Sequence, residues 1–480
     1  MTTNATPAHT TGTGRTGKAA AMSGRQRVAL TVLLTASFTL AVDFSILNVA
    51  LPSIGADVGF AIQNLQWIAT AFALCSAGFT LLMGRVADLA GRRRMFLIGM
   101  ALLGAGSLAG GLATTPALLV IARVAQGLAT AIVVPAALAL LLSAFPEGRA
   151  REKALGLNGS LMAAGFTTGA ILGGLLTDLL SWRWAFLINV PIAVGVLIVA
   201  PLVLTESRAA ARMKLDVPGA ITVTAGLLAL VFGLTTAAAS SWADPTTVVS
   251  LATALVFLVW FVLIERRAAH PLLPLAILAR SNVSWGNVTG LVAFATETSL
   301  VFLLTLYLQQ VLGFTPLAAG LSFAVLGAGT VIGGLVGPAL IARFGNKTAI
   351  VGGFLVQGAA TLALVLLSSS AASIWLLLGA TFVGGVANLV VIVGFMVTAT
   401  SGLAPDEQGL ATGLTTMSQQ VGITLGTPIM SAVFTAVVVG STAPLAETVL
   451  RGVSTAIWVN GGLCIAAAIV IALFLRRRAE

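Results

Sequence analysis

Residues 28–50 read VALTVLLTASFTLAVDFSILNVA, twenty-three positions from Val28 to Ala50 with a single charge, Asp43. A helix rising about 1.5 Å per residue carries such a run across the roughly 30 Å hydrocarbon core of a bilayer. The apolar character is continuous, where a strand of an outer-membrane barrel alternates with period two. Runs of similar length recur at 64–83, 95–114, 118–143, 155–179, 184–204, 216–238, 246–264, 284–305, 316–342, 348–367, 373–400, 409–436 and 453–475. Fourteen spans agree with the composition. Of 480 residues 58% are hydrophobic, about 278 in all, enough for about fourteen spans of about 20 residues. Only 8% are charged and the mean hydropathy is +1.05. These values exclude a water-soluble enzyme and a disordered chain. The fold class expected is an all-α polytopic membrane protein.

The formal charge of +10 would suggest nucleic acid as partner in a soluble protein. Here the connecting segments explain it. With the N-terminal tail placed in the cytoplasm, that side collects 22 of the 25 basic residues, the opposite side has only Arg183 and Arg451, and Arg123 falls within a span. This positive-inside bias predicts both termini in the cytoplasm of a multi-pass protein of the cell membrane, with no nucleic-acid partner. Residues 1–27 are rich in Thr, Gly and Ala and are expected to be a disordered basic tail, with a second short tail at 476–480. The apolar segment that follows is too long for the core of a signal peptide and reads as an uncleaved span. Cys75 and Cys464 lie inside apolar runs and read as small core residues.

The longest polar connections flank spans 7 and 8. They divide the chain into a first six-helix bundle (28–204), a linker with an inserted helix pair (205–283) and a second six-helix bundle (284–475). Equal halves suggest a secondary transporter with a central cavity. Gly165, Gly169 and Gly173 recur at i, i+4 and i+8, spacing that lets helix backbones approach closely.

The sharpest local pattern is Gly84-Arg85-Val86-Ala87-Asp88-Leu89-Ala90-Gly91-Arg92-Arg93-Arg94, between spans 2 and 3. Glycines permit a tight turn, arginines pair with carboxylates or anionic lipid, and Asp88 suits a helix N-terminus or an arginine partner. The pattern resembles the loop signature of the major facilitator superfamily through Gly84, Asp88, Gly91, Arg92 and Arg93, with Leu89 where an arginine commonly follows the Asp. The resemblance implies a cytoplasmic gate. A degenerate second copy, Arg343-Phe344-Gly345-Asn346-Lys347, supports an internal repeat. Asp43 with Asn48 to Pro52, and Arg123, Gln126 and Gly127, are similar to motifs of the fourteen-helix drug:proton antiporters. Gly165, Gly169, Gly173 and Gly174 resemble that family's antiporter helix, with Ala170 in place of its usual Pro, which leaves the helix straighter. Ser181 to Phe186, Asn189, Leu215 to Gly219, Tyr307 to Gln310 and the Gly409 to Gly422 region have the same look.

Asp43, Arg123 and Glu297 are the charges well inside spans, and an ionisable residue there marks function by default. Asp43 and Glu297 both lie roughly 20–22 Å along their helices from the basic side. They are thus expected to face one another across the axis relating the halves. Burial favours a neutral carboxyl and a nearby arginine a charged one. Asp43 is therefore expected to exchange a proton beside Arg123, and Glu297 to serve a second proton or a cationic substrate. Phe44, Asn48 and Gln126 are the candidate substrate-cavity residues, with Trp67 and Phe72 in the second span. Trp182 and Trp184 are expected in an aromatic belt.

The function expected is proton-coupled export of lipophilic, in part cationic, small molecules by alternating access. Export of an endogenous metabolite, or metabolite symport or uniport, are the alternatives. Neither His9 nor His270 lies in a span and no phosphate-binding loop is present, so neither a histidine-based intramembrane enzyme nor an ATPase fits. No cofactor or metal is expected, the proton gradient being the driving force. The partners expected are a small-molecule substrate, protons and lipid, around a monomer.

Overall fold

The computed structural model describes residues 23–60, 65–145, 149–207, 216–268, 271, 275–401, 403, 408–439 and 443–475. The expected tails therefore lie mostly outside the described residues. The first helix nevertheless begins inside the stretch expected as tail. α1 (Gly24–Val58) starts four residues before the apolar run, because Ser23 and Gln26 form a reciprocal capping box that satisfies its first amides.

The first half continues with α2 (Gln66–Ala90), α3 (Arg92–Gly111), α4 (Pro116–Ala144), α5 (Arg149–Leu179), a single turn α6 (Trp184–Leu187) and α7 (Asn189–Val203). A hairpin of α8 (Val217–Ala239) and α9 (Pro245–Glu265) follows, then the turn α10 (Leu275–Leu278). The second half holds α11 (Ser281–Leu306), extended by a π-helical turn at Tyr307–Val311, with α12 (Pro316–Phe344), α13 (Asn346–Ala363), α14 (Ser373–Thr400), α15 (Gln408–Val438) and α16 (Leu445–Phe474). Among the described residues twelve helices are long and apolar enough to span a membrane. The count is thirteen when the two arms of α2, bent by 54°, are one span. α5 runs through the expected fifth span.

Packing repeats between the halves. α1 lies on α5, α2 and α3 on α4, and α3 on α7; likewise α11 lies on α15, α12 and α13 on α14, and α13 on α16. The repeat extends to single residues. The four described glycines with positive φ form two pairs, Gly59 with Gly313 and Gly91 with Gly345, each pair 254 residues apart. Asp43 and Glu297 have the same separation. The halves meet through α5 with α12 and α2 with α15, and the inserted α8 packs on α2 and α15 while α9 leans mainly on α8.

Trp182 departs from the expected aromatic belt. Trp184 is exposed, but Trp182 is buried and donates from Nε1 to Asp57 Oδ2 at 2.9 Å. Arg183 also meets Asp57 Oδ2, at 2.6 Å, and stacks on the indole. Asp57 lies beyond the apolar stretch, and its hydrogen bonds from Arg183 and then Trp182 hold its carboxyl below the usual range. A lowered folded-state pKa adds stability above the unfolded value, lost as pH falls through the folded one. The melting temperatures of wild type and Asp57→Asn should accordingly differ near neutrality and converge as the pH drops below the ordinary value of 3.8. The difference should be small, because the pair is half exposed.

Candidate functional site

Asp43 sits at the middle of α1 and is completely buried. Its Oδ2 accepts from Arg123 Nη1 of α4 at 3.1 Å. Its Oδ1 accepts from Gln126 Nε2 at 2.8 Å and from Asn189 Nδ2 of α7 at 2.5 Å. Arg123 donates further to the Ile68 carbonyl and to Gln126 Oε1, and Gln126 Nε2 reaches Ser107 Oγ of α3. A buried ion pair is tolerable only when its remaining groups are met; here both carboxylate oxygens accept, and of the surrounding amides Asn189 leaves its Oδ1 without a partner among the described residues. Five helices thus converge on one carboxylate. The sequence pointed to Asp43, Arg123 and Gln126. It left Ser107 unassigned and marked Asn189 only as part of a stretch resembling the antiporter family, with no role, since neutral polar residues in a span carry no charge to flag them.

Phe44 follows Asp43 and turns to the other side of α1. It contacts Phe72 and Phe166, ring centroids 5.8 Å apart in each case. These rings, with Ser76, Gln420 and Thr424, line a cavity of about 40 Å³ reached by both halves. Gln126, expected in the cavity wall, is instead held in the Asp43 network because its amide pairs there. The side chain of Asn48 lies outside the described residues. Trp67 packs against Phe232 of α8, the rings tilted by 52° with centroids 5.8 Å apart. Phe72 joins the two regions: the Arg123 guanidinium carbon lies 4.3 Å from its ring centre, a cation–π contact. A cavity this small is closed to a drug-sized guest, which needs several hundred Å³.

Glu297 does not face Asp43. It lines a separate cavity enclosed by α11, α12, α13 and α14. The first half contributes nothing to that wall, and all the bonded partners of Asp43 are first-half residues. Equal depth therefore does not bring the two acids together; each points into its own bundle.

In the loop between α2 and α3, Arg92 pairs with Asp88 at 2.8 Å and donates to Ser143 Oγ of α4. The N-terminus of α3 is taken by Glu206, whose carboxylate accepts from the amides of Arg93 and Arg94 at 3.0 and 3.1 Å. Arg93 also donates to the Leu204 carbonyl. Gly84 lies against Pro135 of α4. Gly91 has φ +114°, and a Cβ there would meet Glu206 at 2.8 Å. Gly91→Val should therefore cost about 1–3 kcal/mol from the backbone alone. A lower melting temperature in detergent, compared with Gly84→Ala, checks this.

The glycines of α5 seat it on α1. A Cβ at Gly165 would lie 2.9 Å from the Phe38 carbonyl, at Gly169 2.7 Å from that of Val42, and at Gly173 2.1 Å from that of Ile46. Gly174 faces the other half, 2.4 Å from the Pro316 carbonyl of α12 by the same measure, and Gly320 approaches the Ala170 carbonyl. With Gln309 Nε2 donating to the Val49 carbonyl, these contacts join the halves at the end opposite the basic loops.

A family model described as Major Facilitator Superfamily matches residues 33–427. The chain belongs to the Major Facilitator Superfamily. It is accordingly a transporter and not an enzyme. It is 37% identical over 439 residues to the cephamycin export protein CmcT of Amycolatopsis lactamdurans, covering 91% of this chain and 90% of that one. It is likewise 37% identical to the puromycin resistance protein pur8 of Streptomyces alboniger (93% and 88% covered). Solved structures share the superfamily fold. They include a bacterial homologue of the lysosomal transporter Spinster in an inward-facing conformation (TM-score 0.65, 16% identity, 96% and 100% covered). An auto-inhibited peptide transporter of the POT family is another (TM-score 0.67, 17% identity, 94% and 97% covered).

Proposed function

We propose that this superfamily member exports lipophilic antibiotic-like molecules from the cell across the cytoplasmic membrane, driven by protons, with both termini in the cytoplasm. The observation that carries the reading is the Arg123–Phe72 contact, which ties a buried carboxylate network to an aromatic cavity shared by both halves. The curated relatives named as export and resistance proteins support the substrate class. Protonation of Asp43 removes the charge that holds Arg123. The guanidinium then shifts against Phe72, and the cavity wall responds. Glu297 is the second coupling carboxylate. Asp88, Arg92, Arg93 and the glycines Gly84 and Gly91 form the cytoplasmic gate. Their described partners lie in the first half or, as Glu206 does, at the start of the linker that follows it, while the opposite ends of the halves are in contact, an arrangement that suits a cavity opening towards the cytoplasm. Gly165, Gly169 and Gly173 hold α5 on α1 within the first bundle, and Gly174 is the point at which the bundles rock against one another.

The test is transport by the purified chain in proteoliposomes with an imposed pH gradient, using ethidium and puromycin as probes. Transport should require the gradient and collapse with a protonophore. Gradient-independent equilibration of both probes would overturn the reading.

A further inference from the structure

Three buried amides surround the Glu297 carboxylate or its helix, and each is oriented by a donor bond that fixes which way its oxygen points. Asn388 Nδ2 of α14 donates to the Ala293 carbonyl. Gln357 Nε2 of α13 donates to Thr296 Oγ1, whose own hydrogen is committed to the Val292 carbonyl. Asn460 Nδ2 of α16 donates to the Thr296 carbonyl. The amide oxygens of all three are consequently left buried without a partner, as is the Thr361 hydroxyl. Gln357, Asn388 and Thr361 are at most 3% exposed and line the cavity of Glu297. Glu297 itself has no hydrogen-bond or ion-pair partner among the described residues. Among the described residues the site therefore holds a carboxylate and two unpaired amide oxygens, and its one uncommitted hydroxyl is that of Thr361, since Thr381, also on the wall, donates to the Leu377 carbonyl. Buried acceptors are ordinarily satisfied, and each one left unpaired costs stability.

The internal repeat says what is missing. Glu297 stands 254 residues after Asp43, and Thr361 the same distance after Ser107, the hydroxyl that completes the first-half network. The glycine contacts fix the register of α4 on α14: Gly127 meets the Phe72 carbonyl as Gly385 meets that of Leu326, which sets Thr381 in the place of Arg123 and Gly384 in that of Gln126, both of them cavity-lining residues. Where one half has a guanidinium and an amide, the other has Thr381, Gly384 and a cavity of about 20 Å³, room for one water or one small ion. Cationic side chains on the packed elements are distant. Arg343 and Lys347 lie at the α12–α13 junction, and Arg451 with its partner Glu447 lies in the first turns of α16.

We infer that Glu297, Gln357, Asn388 and Thr361 form an exchangeable site for a small monovalent cation, a proton or a sodium ion, which fills the place that Arg123 occupies permanently in the other half. Oxygen donors of this kind suit a hard cation. A metal ion satisfies several acceptors at once, whereas a proton on Glu297 satisfies one and needs a water for the rest. The inference deepens the coupling reading and rests on it for its consequence in transport, but binding is measured without transport.

The experiment uses the full chain in lipid nanodiscs. One arm measures saturable binding of radioactive sodium at pH 8. The other records the carboxylic C=O band in infrared difference spectra between pH 8 and 5 in sodium-free buffer. Wild type should give sodium binding or a titrating carboxyl, and the positive arm identifies the ion. Because Asp43 also takes a proton, the infrared arm is read on the Asp43→Asn background: the sodium binding or the carboxyl band that remains there should be abolished by adding Glu297→Gln and weakened at least tenfold by adding Asn388→Leu. Glu297→Asp, which keeps the charge, should retain it in part, so misfolding is distinguishable from loss of the site. Absence of both signals from Asp43→Asn, or their persistence in Asp43→Asn/Glu297→Gln, overturns the inference. Failure of probe export with an intact Glu297 signal would sink the export reading alone.

Discussion

Proton-driven export by Asp43→Asn falls to the level of vesicles without protein, while the double variant Asp43→Asn/Arg123→Gln recovers folding without recovering transport. The reason lies in what the side chain holds. Asp43 Oδ2 neutralises Arg123 in a fully buried site, and Oδ1 satisfies Gln126 and Asn189 at once. The asparagine keeps the shape and one acceptor but leaves a guanidinium buried beside Phe72 with no counter-charge. Removing one partner of a buried pair costs about 3–5 kcal/mol. The double variant removes that cost, because no charge then remains to be compensated, yet it has nothing to protonate. Melting temperature and gradient-driven uptake, read on the same preparations, separate the two effects. Full transport by either variant would remove Asp43 from the coupling mechanism.

Gly173→Ala should be the most damaging single methyl group that can be added to the first half. Its Cβ would sit 2.1 Å from the Ile46 carbonyl oxygen, against 2.7 Å for Gly169 and the Val42 carbonyl and 2.9 Å for Gly165 and the Phe38 carbonyl. A backbone carbonyl inside a helix cannot swing aside, so α1 and α5 must separate. Overpacking costs typically about 1–3 kcal/mol and more where the backbone itself is the obstacle. The helix pushed away carries Asp43. The yield of monodisperse protein and the melting temperature should fall in the order Gly165→Ala, Gly169→Ala, Gly173→Ala, and Gly173→Val should not accumulate. Equal stability across the series would show that α5 does not bear on α1 through these carbonyls.

Much of this was legible in the sequence because a bilayer simplifies the physics. Apolar run length locates helices, loop charge suggests an orientation, and a charge within a run stands out. Asp43, Arg123 and Glu297 were found that way. Their partners were not. Ser107, Asn189, Gln357, Asn388 and Thr361 are neutral polar residues whose importance depends on which face of the helix they occupy, and the apolar pattern around them shows no preferred face. The direction of Glu297 was lost for the same reason: depth follows from counting residues, but azimuth does not. Glu206 was visible only as part of a polar connection, since its role at the α3 N-terminus requires α7 to end beside α3. Trp182 was read from its neighbourhood as interfacial, and only the approach of Asp57 at the end of α1 explains its burial.

The contact at Gly174 and Gly320 makes the sealed end of the molecule a joint of bare main chain, with no rotamer to adjust and no side chain to swing. Such a joint behaves as a latch with a hard edge. A single methyl group placed there acts as a wedge, holding the bundles apart at that end while leaving the aromatic cavity and both acids untouched. Gly320→Ala is thus a means of trapping the opposite conformation for structural work, and a place where chance mutation would change how long the transporter dwells in each state without changing what it recognises.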